Sequence, residues 1–344
     1  MTPGEGLDDP ARVRALEAWL AASLAARHVT IAAPTKLGGG AIQENWAIDA
    51  AVDGGPRDGS HAWVLRTDAP SRVAASLTRA QEYTLIAAAH DAGVTVPEPI
   101  ALCADTSVLG RAFYVMRRIG GTAAGHLLVR DDRWRGDRVA LVARLGGELA
   151  RIHGIRPPRG DLDFLPMPDG PPARVAVARH RRWLDGYHMA RPALEWGLRW
   201  LDRNAPPRPA QLTLLHGDFR TGNYMVDETG LTGILDWEFA SWGDPLEDLG
   251  WFCARCWRFG ADGREAGGIG AREDFYRAYE AAAGHAVDRA AVDYWETMAH
   301  ARWAVIALMQ GERHVSGEEP SLDLALTGRR VAELEYELLQ RTTP

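Results

Sequence analysis

The sequence predicts an α+β protein with two lobes, a small N-terminal lobe built on an antiparallel sheet and a larger helical C-terminal lobe. Strand-like runs separated by Gly, Pro and Asp turns dominate residues 30–119. Periodic apolar residues typical of helices dominate residues 120–344. The pair Gly120-Gly121 marks the junction, and a chain of 344 residues is long enough for two such lobes around a cleft.

The N-terminal region starts with a predicted helix over residues 9–27, which an Asp-Pro pair opens. We expect residues 1–29 to pack on the body of the protein through this helix. The segments that follow are typical of strands: TIAAPTKLGGG, QENWAIDAAV, HAWVLRTD, PIALCAD and RAFYVMRRI. A predicted helix over residues 71–92, ended by Gly93, interrupts these strands.

The C-terminal region is predicted to be mostly helical. Helical periodicity covers residues 136–153, 175–203, 244–259, 271–283, 288–310 and 320–341. The exception is a short hairpin, NYMVDETGLTGILDWE, which we expect to turn at Asp227–Gly230.

Charge and hydropathy exclude several classes of partner. The net charge of −7 argues against a nucleic-acid partner. The first ten residues are acidic and lack the apolar segment of a signal peptide, and no apolar run reaches membrane-spanning length. We therefore expect a cytoplasmic protein that binds neither membranes nor nucleic acid. The sequence leaves the oligomeric state open.

A polar loop follows a short apolar run in LLHGDFRTGN, which places His216, Asp218 and Asn223 close together. Asp236 ends the next predicted strand, in ILDWE. A tight hairpin between these segments can bring Asn223 and Asp236 side by side. One carboxylate and one amide oxygen are hard ligands that suit Mg²⁺, with phosphates and waters completing the coordination. Asp218 then faces whatever approaches the phosphate.

The segments HGDFRTGN and ILDWE resemble the catalytic-loop and metal-binding motifs of the aminoglycoside phosphotransferase family, which is itself similar to protein kinases. The resemblance covers about residues 30–340. It implies a bilobal protein-kinase-like fold that uses ATP and Mg²⁺ to phosphorylate the hydroxyl group of a small molecule.

The resemblance also implies a role for each residue of these motifs. Asp218 corresponds to the catalytic base, and Asn223 and Asp236 correspond to the Mg²⁺ ligands. His216 corresponds to a structural residue that braces the loop through hydrogen bonds. The segment GDPLEDLGWF matches the family as well, and we expect Asp244 within it to cap the following helix.

The N-terminal lobe contains candidate phosphate-binding groups. The turn LGGGAIQENW offers three glycines without side chains, so that backbone N–H groups can approach a phosphate; these are Gly38, Gly39 and Gly40. The family pattern next requires a cation on the third strand and a carboxylate on the following helix. Glu82 supplies the carboxylate, but the cation is Arg66 of WVLRTD, where most relatives have a lysine.

An arginine can replace the lysine because its guanidinium can hold a phosphate oxygen and a carboxylate together. The single lysine of the chain, Lys36, precedes the glycine turn and is the second candidate. The VLR pattern resembles a branch of the family that includes kinase domains fused to acyl-CoA dehydrogenases. We expect the adenine of ATP to lie against the backbone of a hinge formed by Met116, Arg117, Arg118 and Ile119.

The predicted acceptor region is aromatic and cationic. Its candidate residues are Arg220, Trp237, Trp251, Arg255, Trp257 and Arg258. An anionic or apolar acceptor, such as a hydroxyacyl group on a carrier like CoA, suits these side chains better than a polycationic aminoglycoside does. An aminoglycoside acceptor stays the alternative, because later helices also carry carboxylates.

Two other classes of function compete with a kinase. The first is a module that binds a nucleotide without transferring phosphate, although the intact Asp218 argues against it. The second is a hydrolase that uses His216 and Asp218 to bind a transition metal.

Cys253 and Cys256 form a CxxC without a second ligand pair, and we interpret them as half-buried residues on one helix face.

Overall fold

The N-terminal sheet has six antiparallel strands in the described part of the chain. The computed structural model describes residues 6–38, 43–68, 77–131, 137–207, 209 and 211–343. The strands are β1 His28–Ile31, β2 Thr35–Leu37, β3 Gln43–Asp53, β4 Gly59–Asp68, β5 Pro99–Cys103 and β6 Phe113–Arg117. Their order is β1-β3-β4-β6-β5, and β2 also pairs with β3. The first predicted strand is therefore two short strands, which the segment containing Pro34 separates.

Two helices cover this sheet, α1 Pro10–Ser23 and α2 Arg79–Asp91. Side chains of β4 alternate between them: Leu65 packs in one apolar cluster with Leu16 of α1, and Val64 packs in another with Leu85 of α2. Because successive side chains of a strand point to opposite faces, Arg66 lies on the face of Val64. The strand thus directs Arg66 toward α2.

Helix α2 begins later than the sequence predicts. The side chain of Thr78 accepts the N–H of Gln81, and the Gln81 side chain accepts the N–H of Thr78, so the two form a capping box directly before Arg79. Residues 71–76 of the predicted helix lie outside the described residues. The end of the helix was predicted correctly, since Gly93 follows it with a left-handed φ of +76°.

The C-terminal part is helical, and three of its predicted helices are divided. Its helices are α3 Gly125–Arg130, α4 Arg138–His153, α5 Pro172–Asp185, α6 Pro192–Arg203, α7 Leu246–Cys253, α8 Arg272–Ala283, α9 Arg289–Val315, α10 Leu322–Arg329 and α11 Val331–Thr342. The predicted helix 175–203 is two helices, because Gly186 ends α5 and Pro192 opens α6. The predicted helix 320–341 is also two helices, since α10 ends at Arg329 and α11 begins at Val331.

The region predicted as one helix over residues 244–259 is α7 followed by the 3₁₀ turn Arg255–Trp257. This division corrects the interpretation of the CxxC segment. Cys253 is the last residue of α7 and Cys256 lies in the 3₁₀ turn, so the two do not share a helix face. Both are buried rather than half-buried, and burial raises the pKa of each thiol.

Two small sheets hold the polar loop. The predicted hairpin is present as β8 Tyr224–Asp227 and β9 Gly230–Ile234. A second pair, β7 Thr213–Leu215 with β10 Ser241–Gly243, was not predicted. Residues 216–223 connect β7 to β8, and residues 235–240 connect β9 to β10. The two pairs therefore fix both ends of each connecting loop.

The predicted α+β architecture, a sheet-rich N-terminal part followed by a helical C-terminal part, is confirmed. Among the described residues, no helix is both long and apolar enough to cross a membrane.

Candidate functional site

Asp218 lies at the centre of the loop between β7 and β8, in a dense set of donors. Its Oδ1 accepts a hydrogen bond of 2.8 Å from the indole Nε1 of Trp251. Its Oδ2 accepts one of 2.5 Å from Nδ2 of Asn223. The Nε of Arg220 lies 3.2 Å from both carboxylate oxygens. The carboxylate is thus held in one orientation by three side chains.

His216 connects this loop to the segment before Asp236. Its Nδ1 accepts the backbone N–H of Asp218 at 3.2 Å, and its Nε2 donates to the carbonyl of Leu235 at 2.8 Å. Burial lowers the pKa of His216. The ring is therefore neutral with its proton on Nε2, and both nitrogens are bound to backbone. This arrangement opposes the use of His216 as a transition-metal ligand.

Asp248 of α7 braces the same loop from the other side. Its Oδ2 accepts the N–H of His216 at 2.7 Å, and its Oδ1 accepts the N–H of Gly217 at 3.0 Å. The Nε2 of His153 donates to Oδ2 at 3.3 Å. Burial alone raises the pKa of Asp248, but the bond from His153 and the other donors lower it below its ordinary value. Asp248 therefore stays charged at the base of the loop.

Asn223 and Asp236 lie at the same end of the hairpin. The register pairs Tyr224 with Ile234, and the N–H of Leu235 donates to the carbonyl of Asn223 at 2.8 Å. Asp236 has a left-handed φ of +60°, which is uncommon for a residue with a side chain. This backbone turn directs its half-exposed carboxylate back toward the sheet.

The oxygens of these two residues fit a magnesium ion. Asn223 donates both of its hydrogen bonds through Nδ2, and its Oδ1 accepts none from the described residues. Asp236 adds a carboxylate with a side chain that is 42% exposed. Carboxylate and amide oxygens with access to water are the donor set that Mg²⁺ prefers.

Arg66 links the sheet to this end of the hairpin. Its Nη2 lies 3.0 Å from Oε1 of Glu82 and 2.9 Å from Oδ1 of Asp236. Its Nε is buried without a hydrogen-bond partner. Burial alone lowers the pKa of Arg66, but Glu82 and other nearby groups raise it above its ordinary value. The guanidinium is therefore charged and is held between the carboxylates of Glu82 and Asp236.

Arg79, in the first turn of α2, holds the second oxygen of Glu82. Its Nη1 donates to Glu82 Oε2, and its Nε lies 2.9 Å from Asp68 at the end of β4. Arg79 is almost fully buried. Glu82 is thus fixed between Arg66 and Arg79, so the helix and the strand are joined by a buried network of charges.

Lys36 does not compete with Arg66 for this position. It lies opposite Trp46 in the sheet register, and its Nζ is 2.8 Å from Glu44. Trp46 belongs to the cluster on the α1 face of the sheet. Lys36 is therefore on the opposite face from Arg66.

Only part of the predicted nucleotide-binding backbone can be described. Gly39 and Gly40 lie outside the described residues. A Cβ on Gly38 would meet no atom within 4 Å, so packing does not require a glycine there. In the predicted hinge, the N–H groups of Arg117 and Arg118 donate to carbonyls of Glu98 and Ala62, and Met116 of β6 pairs with Val64 of β4. Ile119 makes no such backbone bond with the described residues.

Aromatic and cationic side chains adjoin Asp218 on the side of α7. The guanidinium of Arg220 stacks on Trp257 at 4.6 Å, and Trp257 contacts Trp251 at 5.1 Å between ring centres. Arg302 of α9 stacks on Trp251 at 4.3 Å and donates to the carbonyl of Gly217 at 2.7 Å. Two arginines and two indoles thus form one wall beside the carboxylate.

The other three predicted acceptor residues make different contacts. Arg258 is buried, with its guanidinium on Glu296 and on the carbonyl of Cys253. Arg255 pairs with acidic side chains of the 3₁₀–α8 loop and of α11, namely Asp262 and Glu337. Trp237 is 1% exposed and packs on the ring of His216. Their place in the acceptor pocket stays a prediction.

Asp244 and Glu238 complete the surroundings of the loop. Asp244 Oδ1 accepts the N–H of Leu246 at 3.0 Å, in the first turn of α7, and burial raises its pKa. Glu238 follows Asp236 by two residues. Burial and the carboxylate of Asp236 raise the pKa of Glu238 to about 7.

Sequence reasoning missed the residues that support the loop from a distance. Asp248 belongs to GDPLEDLGWF, which had been singled out, so its position in that motif was an available signal. Arg79, His153 and Arg302 carry no local signal, because their partners come from other elements of the fold.

Comparison with known proteins identifies relatives of this chain. The sequence profile described as "Phosphotransferase enzyme family" matches residues 34–291. Mouse acyl-CoA dehydrogenase family member 10 is 28% identical over 283 residues, which cover 75% of this chain and 25% of that protein. Chicken acyl-CoA dehydrogenase family member 11 is 32% identical over 203 residues, which cover 56% and 25%. The chain thus spans about a quarter of the length of the curated relatives it matches.

Solved structures share the fold. A protein from Ralstonia eutropha assigned as an aminoglycoside phosphotransferase superposes with a TM-score of 0.74 at 22% identity, over 96% of this chain and 99% of that one. A thermostable aminoglycoside phosphotransferase mutant, in ternary complex with AMP-PNP and hygromycin B, gives 0.57 at 15% identity, over 94% and 98%. The fold of this chain is accordingly the kinase-like fold of these proteins.

Proposed function

The chain belongs to the phosphotransferase enzyme family, and we propose that it transfers the γ-phosphoryl group of ATP to a hydroxyl group of a small molecule in the presence of Mg²⁺. The observation that carries this proposal is the convergence of four groups from distant parts of the chain. Asp218 is bonded to Asn223, the hairpin places Asn223 beside Asp236, and Asp236 is paired with Arg66.

Each of these groups has a distinct role in the proposed reaction. The acceptor oxygen attacks the γ-phosphorus, the bond from that phosphorus to the β–γ bridging oxygen breaks, and ADP leaves. Asp218 takes the proton of the hydroxyl group, since Trp251 and Asn223 orient its carboxylate. Arg66 binds a phosphate oxygen through its guanidinium, which Glu82 and Asp236 hold in place.

The metal site rests on oxygens of this chain. Asn223 Oδ1 and the Asp236 carboxylate would hold Mg²⁺, which when bound neutralises charge on the phosphates. Glu82 and Arg79 keep Arg66 in place before any nucleotide arrives. Phosphoryl transfer through a loose transition state depends mostly on such positioning and charge neutralisation.

The wall beside Asp218 favours an acceptor that is anionic or apolar. Arg220 pairs with Asp218. Arg302 stacks on Trp251 and donates to the carbonyl of Gly217, so both arginines place positive charge in this wall. A polycation such as an aminoglycoside would meet like charges there, which disfavours binding. The names of the mouse and chicken relatives refer to acyl-CoA chemistry, and this agrees with a hydroxyacyl group on a carrier as the acceptor.

The test is mass-detected phosphate transfer from Mg·ATP to a panel of hydroxyacyl-CoAs, sugars, choline-like alcohols and aminoglycosides. We expect a phosphorylated product from an anionic or apolar acceptor. A product from aminoglycosides alone would overturn the acceptor class but keep the reaction. If Mg·ATP binds and no acceptor is phosphorylated, the chain is a nucleotide-binding module and the proposed reaction is wrong.

A further inference from the structure

A large cavity lies in the helical part of the protein, behind the catalytic loop. It has a volume of about 730 Å³ and is bounded by α4, β7, α8 and the first turns of α7 and α9. None of its lining residues takes part in the contacts of Asp218, Asn223, Asp236 or Arg66. Its volume is typical of a site for a small organic molecule. It is therefore a space separate from the proposed transfer site.

The walls of this cavity are mostly apolar. Ala150, Ala282 and Leu246 line it together with three prolines of the segment 206–209 and the ring of Tyr279. These surfaces suit the apolar body of a ligand, because its burial removes apolar area from water.

Two polar side chains that line the cavity have donors without a partner among the described residues. Thr213 is 5% exposed, and its buried hydroxyl has no hydrogen-bond partner. Arg156 is exposed at the cavity and forms no ion pair with the described residues. A buried hydroxyl without a partner is costly, and an unpaired guanidinium attracts anions. Both groups can donate to an acceptor atom, and the guanidinium favours one with negative charge.

Two carboxylates that line the cavity accept hydrogen bonds from helix ends. Asp244 accepts the N–H of Leu246, and Asp288 accepts the N–H groups of Ala290 and Ala291 at the start of α9. Both carboxylates are held by these helix ends. Each of these bonds uses Oδ1 of its aspartate.

A short chain of hydrogen bonds connects the cavity to the catalytic loop. The hydroxyl of Tyr279 and Nδ1 of His153 lie 2.8 Å apart, and both residues line the cavity. His153 Nε2 then donates to Asp248, which holds the N–H groups of His216 and Gly217. Two hydrogen bonds thus separate the cavity wall from the backbone next to Asp218.

We infer that this cavity is a second binding site, for a small organic anion with an apolar body, and that its occupancy stabilises the catalytic loop through Tyr279, His153 and Asp248. The ligand packs its body against the alanines and Tyr279 and places a carboxylate or phosphate ester near Arg156 and Thr213. The ligand restricts Tyr279 and His153. The hydrogen bonds from the N–H groups of His216 and Gly217 to Asp248 therefore open less often. The site regulates the loop without touching the reacting groups.

Binding is tested with 1-anilinonaphthalene-8-sulfonate, a dye that joins one anionic group to an apolar ring body. The full chain is titrated with the dye in saturating Mg·ADP, which occupies the nucleotide site. We expect saturable binding at one site. Arg156→Gln and Thr213→Val should each weaken it, by about tenfold for the loss of the guanidinium.

Two neighbouring alanines of α8 provide a matched pair. Both are exposed, but only Ala282 lines the cavity. Ala282→Trp should fill the cavity and abolish dye binding, whereas Ala281→Trp should leave it unchanged. Absence of saturable binding, or equal binding by the two variants, would overturn the site. If Ala282→Trp fails to fold, unchanged affinity in both Arg156→Gln and Thr213→Val would overturn it equally.

The connection to the loop is tested by hydrogen exchange. With the dye bound, the amides of His216 and Gly217 should exchange several-fold more slowly, because Asp248 is their acceptor. Exchange rates that the dye leaves unchanged would refute the coupling even where binding is found. Neither experiment requires phosphate transfer, so their outcomes are independent of the proposed reaction.

Discussion

Arg66 and Asp236 are 170 positions apart in the sequence, yet Nη2 of Arg66 lies 2.9 Å from Oδ1 of Asp236. The first belongs to the central strand β4 of the sheet, and the second follows the hairpin of the helical part. Their ion pair joins the proposed phosphate-binding cation to a proposed metal ligand before any nucleotide is bound. The left-handed backbone of Asp236 is what directs its carboxylate to Arg66.

Replacing Arg66 by alanine should raise the KM for ATP on the order of 10- to 100-fold, because it removes a charge-assisted contact to the phosphates. The substitution also removes one of the two arginines that pair with Glu82. The measurement is the rate of transfer as a function of ATP concentration. Lys36→Ala is the matched control, since Lys36 is the other candidate cation and lies on the opposite face of the sheet. A larger effect of Lys36→Ala would contradict the assignment.

Replacing Asp236 by alanine should reduce Mg²⁺-dependent transfer on the order of 10²- to 10³-fold, as expected when a charge-stabilising group is lost from a phosphoryl-transfer site. The fold should remain intact by circular dichroism. Asp227→Ala, at the far end of the same hairpin, serves as the control and should retain full activity. Substantial transfer by the Asp236 variant, with the usual dependence on Mg²⁺, would exclude its role as a ligand.

Asp248→Asn should lower kcat by about 10²-fold with little change in the KM for ATP, because a misplaced catalytic group loses its orientation while the nucleotide site stays whole. The substitution removes the charge that accepts the N–H groups of His216 and Gly217. Amide exchange at these two residues should become faster in the variant. An unchanged exchange rate together with a normal kcat would show that Asp248 does not position the loop.

Arg220→Glu should weaken the preference of the enzyme for an anionic acceptor. Arg220 contacts Asp218 and stacks on Trp257, so its charge faces any molecule that approaches the carboxylate. We expect kcat/KM for an anionic acceptor to fall by more than kcat/KM for a neutral one, since the new carboxylate repels the anion. Equal losses for both acceptors would indicate that Arg220 only holds Asp218.

Two buried histidines predict how stability depends on pH. Burial, with a contribution from nearby arginines, lowers the pKa of both His180 and His300 from 6.5 to about 3. Between these values the unfolded chain binds protons that the folded chain does not. Their contribution to stability is therefore complete above pH 6.5 and is lost as the pH falls toward 3. Each should cost about 1.4 kcal/mol per pH unit in that window.

The measurement is urea unfolding between pH 7 and pH 4. His300→Leu should reduce the slope of the unfolding free energy against pH, because a leucine side chain cannot bind a proton. The Nε2 of His300 has no hydrogen-bond partner, so the substitution removes only the bond from Nδ1 of His300 to the carbonyl of Glu296. An identical slope in the variant would contradict the lowered pKa.

Much of the site was predictable because its residues lie in short continuous motifs. Asp218 and Asn223 share one loop, and the hairpin that brings Asp236 beside them is encoded by its own turn. Arg66 was also predictable, since it lies on the third predicted strand, which is β4. Local sequence thus determines the groups proposed to contact the phosphates.

The supporting network was not predictable in the same way. His153 and Asp248 meet across 95 positions, and Arg79 acquires its partners only when α2 packs on the sheet. Apolar periodicity likewise predicted one helix over residues 175–203 where the structure has two. The apolar spacing continues across the break that Pro192 imposes. Such features depend on tertiary packing, which a single sequence pattern does not encode.

The most direct test of the proposed reaction compares the intact chain with Asp218→Asn in a single turnover of Mg·ATP with the acceptor that the panel identifies. Both proteins are first shown to bind Mg·ATP equally. The account predicts that phosphate appears on the acceptor hydroxyl group with the intact chain and falls by at least about 10²-fold with Asp218→Asn. Equal transfer by both proteins would contradict the role of Asp218 and with it the proposed site.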